Sequence, residues 1–254
     1  MLRYLLNACI YYKTWRIETV DIKEVIAEGS TKKVYATNQS DQVVIEFLDT
    51  LPLTVSKQKE KVKGKAEINN AVCAHLFEYL ESYNVPTHFI KTQNDKSFVA
   101  KKLDMIPIAI VVYNVATQDL AKRLHLDTGT VLEFPIVEMY YKDEKRTLPM
   151  INEYHAYALG LCDRKEMTNI SRIATKVNAV LKSFFERKKL KLVSFQIEFG
   201  RTQGQVILGD EVSLDSLTLW PINEDGKLEK PAASKLKDIA FYKMLKDHIF
   251  GTAG

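Results

Sequence analysis

Residues 190–215, LKLVSFQIEFGRTQGQVILGDEVSLD, constrain the fold more than any other stretch of the chain. Val193, Phe195, Ile197 and Phe199 alternate with Ser194, Gln196 and Glu198, and alternation over this length predicts a strand with one face packed and the other presented. Gly200 to Gly204 reads as a turn. Val206, Ile207 and Leu208 read as a returning strand that delivers Asp210 at its end, with Glu211 beside it where the register allows. Glu198 and Asp210 then share one end of a sheet. Carboxylates held together on a rigid sheet repel unless a cation lies between them, and oxygen-only ligands suit Mg²⁺, which takes one or two carboxylates plus substrate phosphates. A metal–nucleotide site is the sharp reading of this hairpin. On spacing alone a solvated acidic edge is the commoner one, because charged strand ends are frequent and spacing does not reveal register.

The rest of the composition narrows the class. A chain of 254 residues, 46% hydrophobic and 27% charged, is globular rather than disordered and large enough for one big domain or two smaller ones. Its formal charge of +4 is mild, and Lys and Arg are interleaved with Asp and Glu, so no nucleic-acid footprint is implied. A site for a phosphorylated ligand would account for it. Cys9, Cys73 and Cys162 are far apart with no CxxC pair, which argues for a reducing, cytoplasmic setting and against a disulfide framework or structural zinc. His75, His88, His125, His155 and His248 are equally scattered, and each reads as a surface or core-edge residue. Met1 to Arg16 carries a short apolar run broken by Asn7 and Lys13, without a cleavage site, so neither a signal peptide nor a membrane span is expected there. Residues 1–20 are set apart as an N-terminal extension.

In chain order, Asp21 to Asp49 reads as three antiparallel strands, with a Gly29-Ser30 turn where Thr31, Lys32 and Lys33 offer a hydroxyl and two cations over nucleotide phosphates. Such a turn is more often an ordinary soluble hairpin. Leu48 to Lys65 reads as a mobile loop, and Ile68, Ala71, Val72, His75, Leu76, Tyr79 and Leu80 predict a helix from Glu67 to Tyr83. Phe89-Ile90 and Ser97 to Ala100 are short strands. The crossing from Leu103 to Pro107 divides a sheet domain, 21–105, from a larger domain, 106–254, that opens with a strand from Ile108 to Tyr113. A short helix from Thr117 to His125, a strand from Ile136 to Tyr141 and a loop from Lys142 to Leu148 follow. Asp163 with Glu166 forms a capping box for the strongest helix, whose apolar stripe runs from Met167 to Phe185, and Ser234 to Phe250 is a last helix. The total is an α+β architecture with mostly antiparallel sheets.

Read together, EGSTKKVYAT, KGKAEINN, FEYLESYNVPTHFIK, KKLDMIPI, LAKRL, PMINE, IEFGR and ILGDEVSLDSLTLW follow the order and spacing of the phosphoribosylaminoimidazole-succinocarboxamide (SAICAR) synthase family. The chain resembles that family from about Val25 to Lys230. The resemblance implies a kinase-like nucleotide lobe, a larger lobe, and a cleft between them where ATP and Mg²⁺ bind. It implies ligation of a carboxylate, activated as an acyl phosphate, to an amine such as that of L-aspartate, in purine biosynthesis in the cytoplasm. It also implies small-molecule partners and association into a homo-oligomer, with neither nucleic acid nor membrane involved. Gly29, Thr31 and Lys32 match the family's phosphate-covering turn; Lys102, Leu103 and Met105 match the segment that meets adenine. Glu198 and Asp210 match the Mg²⁺–nucleotide carboxylates, and with Lys32 they form the implied catalytic set.

The acceptor half departs from the family pattern. Tyr113 stands where the family has Arg, Gln196 where it has Lys, and Thr218 where it has Arg, while Gln118-Asp119 replaces Gly-Ser. Ser30 and Leu148 replace a lysine and an aspartate, Thr50 to Thr54 replace a polar loop, and an arginine near Ser234 is missing. Tyr113, Asp119, Lys122, Gln196, Asp215 and Thr218 are therefore the candidate substrate residues, and Asp119 suits a cationic amine. Losing one charge-assisted contact costs roughly 1.5–3 kcal/mol, so several lost together remove most affinity for the usual ribonucleotide. Three readings follow: a ligase with a changed acceptor, the purine enzyme in divergent form with Lys122 or Lys235 compensating, and a non-catalytic nucleotide-binding protein.

Overall fold

The computed structural model describes residues 20–52, 55–56, 60–143 and 148–251. The N-terminal extension falls outside these residues apart from Val20, as do parts of the loops expected at 48–65 and 142–148. Two antiparallel sheets organise the chain. The first has the order β1-β2-β3-β5-β4, from β1 (Ile22–Glu28), β2 (Lys32–Thr37), β3 (Gln42–Phe47), β4 (Phe89–Asn94) and β5 (Ser97–Lys101). Helix α1 (Lys65–Ser82) connects β3 to β4 and packs its buried face on this sheet. The chain then crosses at Lys102-Leu103 into the second sheet, whose order is β10-β9-β6-β7-β8 with β11 also paired to β9. Its strands are β6 (Asp104–Val115), β7 (Val131–Tyr141), β8 (Met150–Ile151), β9 (Leu190–Thr202), β10 (Gln205–Gly209) and β11 (Leu217–Pro221). Helices α2 (Gln118–Leu124) and α3 (Glu153–Ala158) are short, and α4 (Arg164–Glu186) lies against β9, β10 and β6. One apolar core runs through both sheets, with Val43, Ile45, Phe98, Ile108, Ile110, Phe195, Ile197 and Phe185 in a single cluster. Among the described residues no helix is long and apolar enough to cross a membrane.

Helix α4 forms where the apolar spacing and capping box place it. Asp163 accepts from the Glu166 N–H at 2.7 Å and the Glu166 carboxylate accepts from the Asp163 N–H at 2.9 Å, so two orphan donors of the first turn are satisfied reciprocally. Met167, Ile170, Ile173, Ala174, Val177, Leu181 and Phe185 are all buried. Ser234 to Phe250 is not one helix. Asp238 accepts from the Ala240 N–H at 2.9 Å and caps α5 (Ile239–Phe250), leaving Lys235–Lys237 as a separate 3₁₀ turn.

The long hairpin departs from its expected form in two places. Its turn is two residues, Gln203 and Gly204, with φ of 48° and 74°, a geometry whose twist matches that of the flanking strands. Gly200, Arg201 and Thr202 therefore stay in the ladder, opposite Ile207, Val206 and Gln205. The second departure is at Val193. A register shift against β11 lets Leu192 and Phe195 face the main core, and Val193 packs instead with Val115 and Trp220. An inserted residue reverses the alternation from that point.

Gly200 and Gly209 share a further role. A Cβ on Gly200 would lie 2.6 Å from Leu103 Cβ, and one on Gly209 would lie 2.9 Å from Leu103 Cδ1. The crossing segment is thus seated on a floor made of backbone. Gly200→Ala should overpack this contact and destabilise by about 1–3 kcal/mol. Asp163→Ala should cost about 1 kcal/mol through the lost cap. Denaturant unfolding checks both, and a Gly200→Ala protein as stable as the parent would show that Leu103 gives way freely.

Candidate active site

Lys32 opens β2 and, because side chains alternate along a strand, projects from the face opposite Lys33. Its ammonium reaches across to the second sheet, 2.6 Å from Asp210 Oδ1 and 2.7 Å from Glu211 Oε1. Lys33 is not part of this arrangement: it pairs at 3.6 Å with Glu28 across the β1–β2 ladder. The turn before Lys32 is tied down by backbone, with the Gly29 N–H donating to Lys32 O at 2.9 Å, Leu48 N–H to Thr31 O at 2.7 Å and the Thr50 hydroxyl to Ser30 O at 2.5 Å. Thr31 is buried, while a Cβ on Gly29 would meet only Lys32 O, at 3.8 Å, so the backbone at Gly29 is uncrowded.

Glu198 and Asp210 come together as the hairpin requires. Glu198 is opposite Gly209, the last residue of β10, and Asp210 follows with a left-handed φ of 57°. Glu198 is buried, and its Oε2 lies 2.5 Å from Lys142 Nζ just beyond β7. Burial, reinforced by the charge of Asp210, raises the Glu198 carboxyl above the usual carboxylate range against the opposing effect of Lys142. Burial works in the same direction on Asp210, but its ion pair with Lys32 prevails and holds that carboxyl low. Lys32 in turn is disfavoured as a cation by burial and is held above its ordinary value by Asp210 and Glu211. A divalent cation between Glu198 and Asp210 would relieve their mutual repulsion. Among the described residues no group of three or more His, Cys, Asp or Glu forms a ready-made cage. Two carboxylates plus phosphate oxygens is the donor set that Mg²⁺ commonly takes, so these residues fit it.

Behind this pair runs a second, fully buried layer. Lys65, at the start of α1, is 0% exposed and pairs with Asp215, whose other oxygen accepts from Tyr242 at 3.4 Å. Ser213 links the layers, donating its hydroxyl to Glu211 and accepting from the Asp215 N–H at 3.1 Å. Asp215, a candidate substrate residue, is thus engaged with Lys65 beneath the site rather than displayed on it. A partner 150 positions away leaves no sign in local spacing, which is why Lys65 could not be singled out from sequence.

The remaining candidates are arranged by register. Residues directly opposite in an antiparallel ladder point to the same face. Glu198 is level with Ala109 and Tyr140; Gln196 with Val111 and Glu138; Ser194 with Tyr113, Ile136 and Thr218. The face that carries Glu198 therefore also carries Gln196, Tyr113 and Thr218, while Phe195, Ile197, Val112 and Ile110 fill the core behind. Gln196 donates to Glu198 at 3.4 Å. Glu138 on the same face takes both terminal nitrogens of Arg123 at 3.0 Å each and the Tyr140 hydroxyl at 2.6 Å. Asp119, one helical turn before Arg123, takes its Nε at 3.0 Å. Tyr113 is hydrogen-bonded to Tyr140, and burial raises the pKa of both phenols. Lys122 is exposed on α2 and has no hydrogen bond or ion pair with this network. The i, i+4 spacing of Asp119 and Arg123 was a legible signal; the capture of Arg123 by Glu138 was not.

The crossing segment borders the same place. Leu103 sits on Gly200 and Gly209, Met105 is 39% exposed beside Gly209, and the Lys102 N–H donates to Asp41 O at 2.8 Å. The Gly29–Thr31 turn, the Lys102–Met105 segment and the two carboxylates thus border one region at the junction of the sheets.

Known proteins resemble the chain over most of its length. A family model described as SAICAR synthetase matches residues 25–246. The phosphoribosylaminoimidazole-succinocarboxamide synthase of Prosthecochloris aestuarii is 39% identical over 206 residues, covering 81% of this chain and 88% of that protein. The crystal structure of the synthase of that name from Ehrlichia chaffeensis superposes with a TM-score of 0.83 at 29% identity, over 89% of this chain and 98% of the other. A SAICAR synthetase solved in complex with ADP superposes with a TM-score of 0.81 at 35% identity, over 90% and 98%. The α+β fold, the paired carboxylates facing Lys32 and these matches lead to one conclusion: the chain belongs to the SAICAR synthetase family of ATP-dependent amide-forming ligases.

Proposed function

We propose that this chain uses Mg-ATP to join a carboxylic acid to an amine such as L-aspartate, and that the acid carries a neutral, hydroxyl-bearing tail where the family's ribonucleotide carries a phosphate. Lys32 holds the phosphates of the nucleotide from beneath the Gly29–Thr31 turn, Lys102 to Met105 receive the adenine, and Glu198 and Asp210 hold Mg²⁺. When bound, that ion neutralises charge on the transferring phosphoryl group. Activation of the acid forms a bond between its carboxylate oxygen and the γ-phosphorus and releases ADP. The amine nitrogen then attacks the acyl carbon, and phosphate leaves. The residues at 21–105 serve the nucleotide and those at 106–254 the metal and acceptor. Both substrates are small molecules, and we place the reaction in the cytoplasm, with self-association as in the family.

The observation that carries the altered acceptor is the sheet face beside Glu198. Its rows present Gln196, Tyr113, Tyr140 and Thr218, all uncharged donors and acceptors. The guanidinium that borders them, Arg123, is already satisfied by Glu138 and Asp119. A phosphate dianion placed there would find two carboxylates around one captured cation. Hydroxyls would find partners.

The test is ADP release from Mg-ATP and L-aspartate with carboxyaminoimidazole ribonucleotide or its 5′-dephosphorylated riboside, with mass detection of the amide. The riboside should be used with kcat/KM at least equal to that of the ribonucleotide. Tyr113→Arg should raise kcat/KM for the ribonucleotide by about 10- to 100-fold, the worth of one charge-assisted contact. Robust turnover of the ribonucleotide by the unaltered protein would overturn the changed acceptor and leave the housekeeping reaction. Glu198→Gln, or chelation of Mg²⁺, should abolish product whichever acid is used, and product surviving both would sink the metal assignment.

A further inference from the structure

His88 lies outside the machinery described so far, and its placement gives it a function there. The residue is 3% exposed, on the approach to β4 in the first sheet. Its backbone is fixed on both sides: the N–H donates to Leu208 O of β10 at 3.0 Å, and the carbonyl accepts from Lys101 N–H at 2.7 Å. Its ring is held edge-on by Phe77, centroid distance 5.3 Å and interplanar angle 75°, and by Phe98, 5.7 Å and 71°. So clamped, Nε2 faces the backbone carbonyl of Asp210 at 3.1 Å. A carbonyl oxygen only accepts, so Nε2 carries the proton and donates it.

The recipient is an unusual peptide. Asp210 has φ of 57°, a left-handed conformation that a residue with a Cβ adopts at a cost and keeps only where its surroundings impose it. That conformation turns the chain sharply after Gly209 and aims the Asp210 carboxylate at Lys32 and toward Glu198. Rotating the peptide out of the left-handed region would move the carbonyl away from His88 and the carboxylate away from Lys32 together. We infer that His88 is a positioning residue for the metal site: by donating to Asp210 O it holds the backbone geometry that brings the Asp210 carboxylate into register with Glu198. It touches neither substrate nor metal, and it links the ring-packed first sheet to the carboxylate end of the second.

This inference rests on Asp210 as a Mg²⁺–nucleotide carboxylate and not on the identity of the acid, so its test uses nucleotide binding alone. ADP affinity is measured by calorimetry with and without Mg²⁺ on the full chain. In the parent protein Mg²⁺ should tighten ADP binding at least tenfold. His88→Phe keeps the aromatic packing but lacks the donor; because Glu211 still holds Lys32, it should bind metal-free ADP within threefold of the parent and lose most of the Mg²⁺ enhancement. His88→Gln, whose amide N–H can reach the same carbonyl, should recover much of it. His88→Asn, polar but too short, should not, and it serves in place of the Phe variant if that one fails to fold. An undiminished Mg²⁺ enhancement in the Phe or Asn variant would overturn the positioning role. Equal loss of metal-free and Mg²⁺-dependent binding would also overturn it, pointing to general disruption of the fold. Absence of any Mg²⁺ enhancement in the parent would instead overturn the metal reading on which it stands.

Discussion

One ion pair ties the two halves of this molecule to the same chemistry. Lys32 belongs to the first sheet, Asp210 and Glu211 to the second, and the ammonium lies within 2.7 Å of both carboxylates. Taking three charges largely out of water is expensive, and the arrangement persists because each partner is further bonded: Glu211 by Ser213, and Asp210 through its backbone by His88. Removing one member would leave the others buried without compensation, which typically costs about 3–5 kcal/mol. The contact that positions Lys32 is therefore also a contact that orients the sheets. Site and fold share a single electrostatic joint.

From that joint the second sheet extends the site by register alone. Successive rows of β9, β6 and β7 carry Glu198, then Gln196 with Glu138, then Ser194 with Tyr113, all on one face. The other face is continuous core. A sheet of this kind separates two tasks cleanly: what is packed behind can be conserved in volume while what is displayed in front changes in chemistry. The Glu198 end and the rows around Tyr113 are neighbours on the same rigid surface, so the side chains of one can change without disturbing the other.

Much of this was visible in the amino-acid order, for reasons that can be named. The stripe from Met167 to Phe185 and the Asp163–Glu166 box are local, and local periodicity reports them faithfully. The alternation of Phe195, Ile197 and Phe199 likewise led to the buried face of β9 and so to Glu198 on the other. It misled at Val193, where one extra residue shifts the phase, and at Gly200, which reads as a turn and is instead a strand position kept free of side chain for Leu103. Lys65 with Asp215, Arg123 with Glu138 and His88 with Asp210 were not legible, because each pair is made by tertiary approach between elements whose own spacing is indifferent to it. The hairpin's alternation located the carboxylates and the family resemblance matched them; only the fold showed what holds them.

The sheets are also stitched together away from the crossing at Lys102-Leu103. Leu208 N–H donates to Pro86 O at 3.0 Å, His88 N–H returns to Leu208 O at 3.0 Å, and Thr87 bridges Leu208 in parallel. A door hung on one hinge swings, but one fastened along a second edge does not. With the covalent crossing on one line and these backbone bonds on another, a wide rotation of one sheet against the other would first have to break buried hydrogen bonds. The region between the sheets is thus bounded by a frame held along two lines, and the Gly29–Thr31 turn at its edge is bonded into that frame through Gly29 N–H, Ser30 O and Thr31 O.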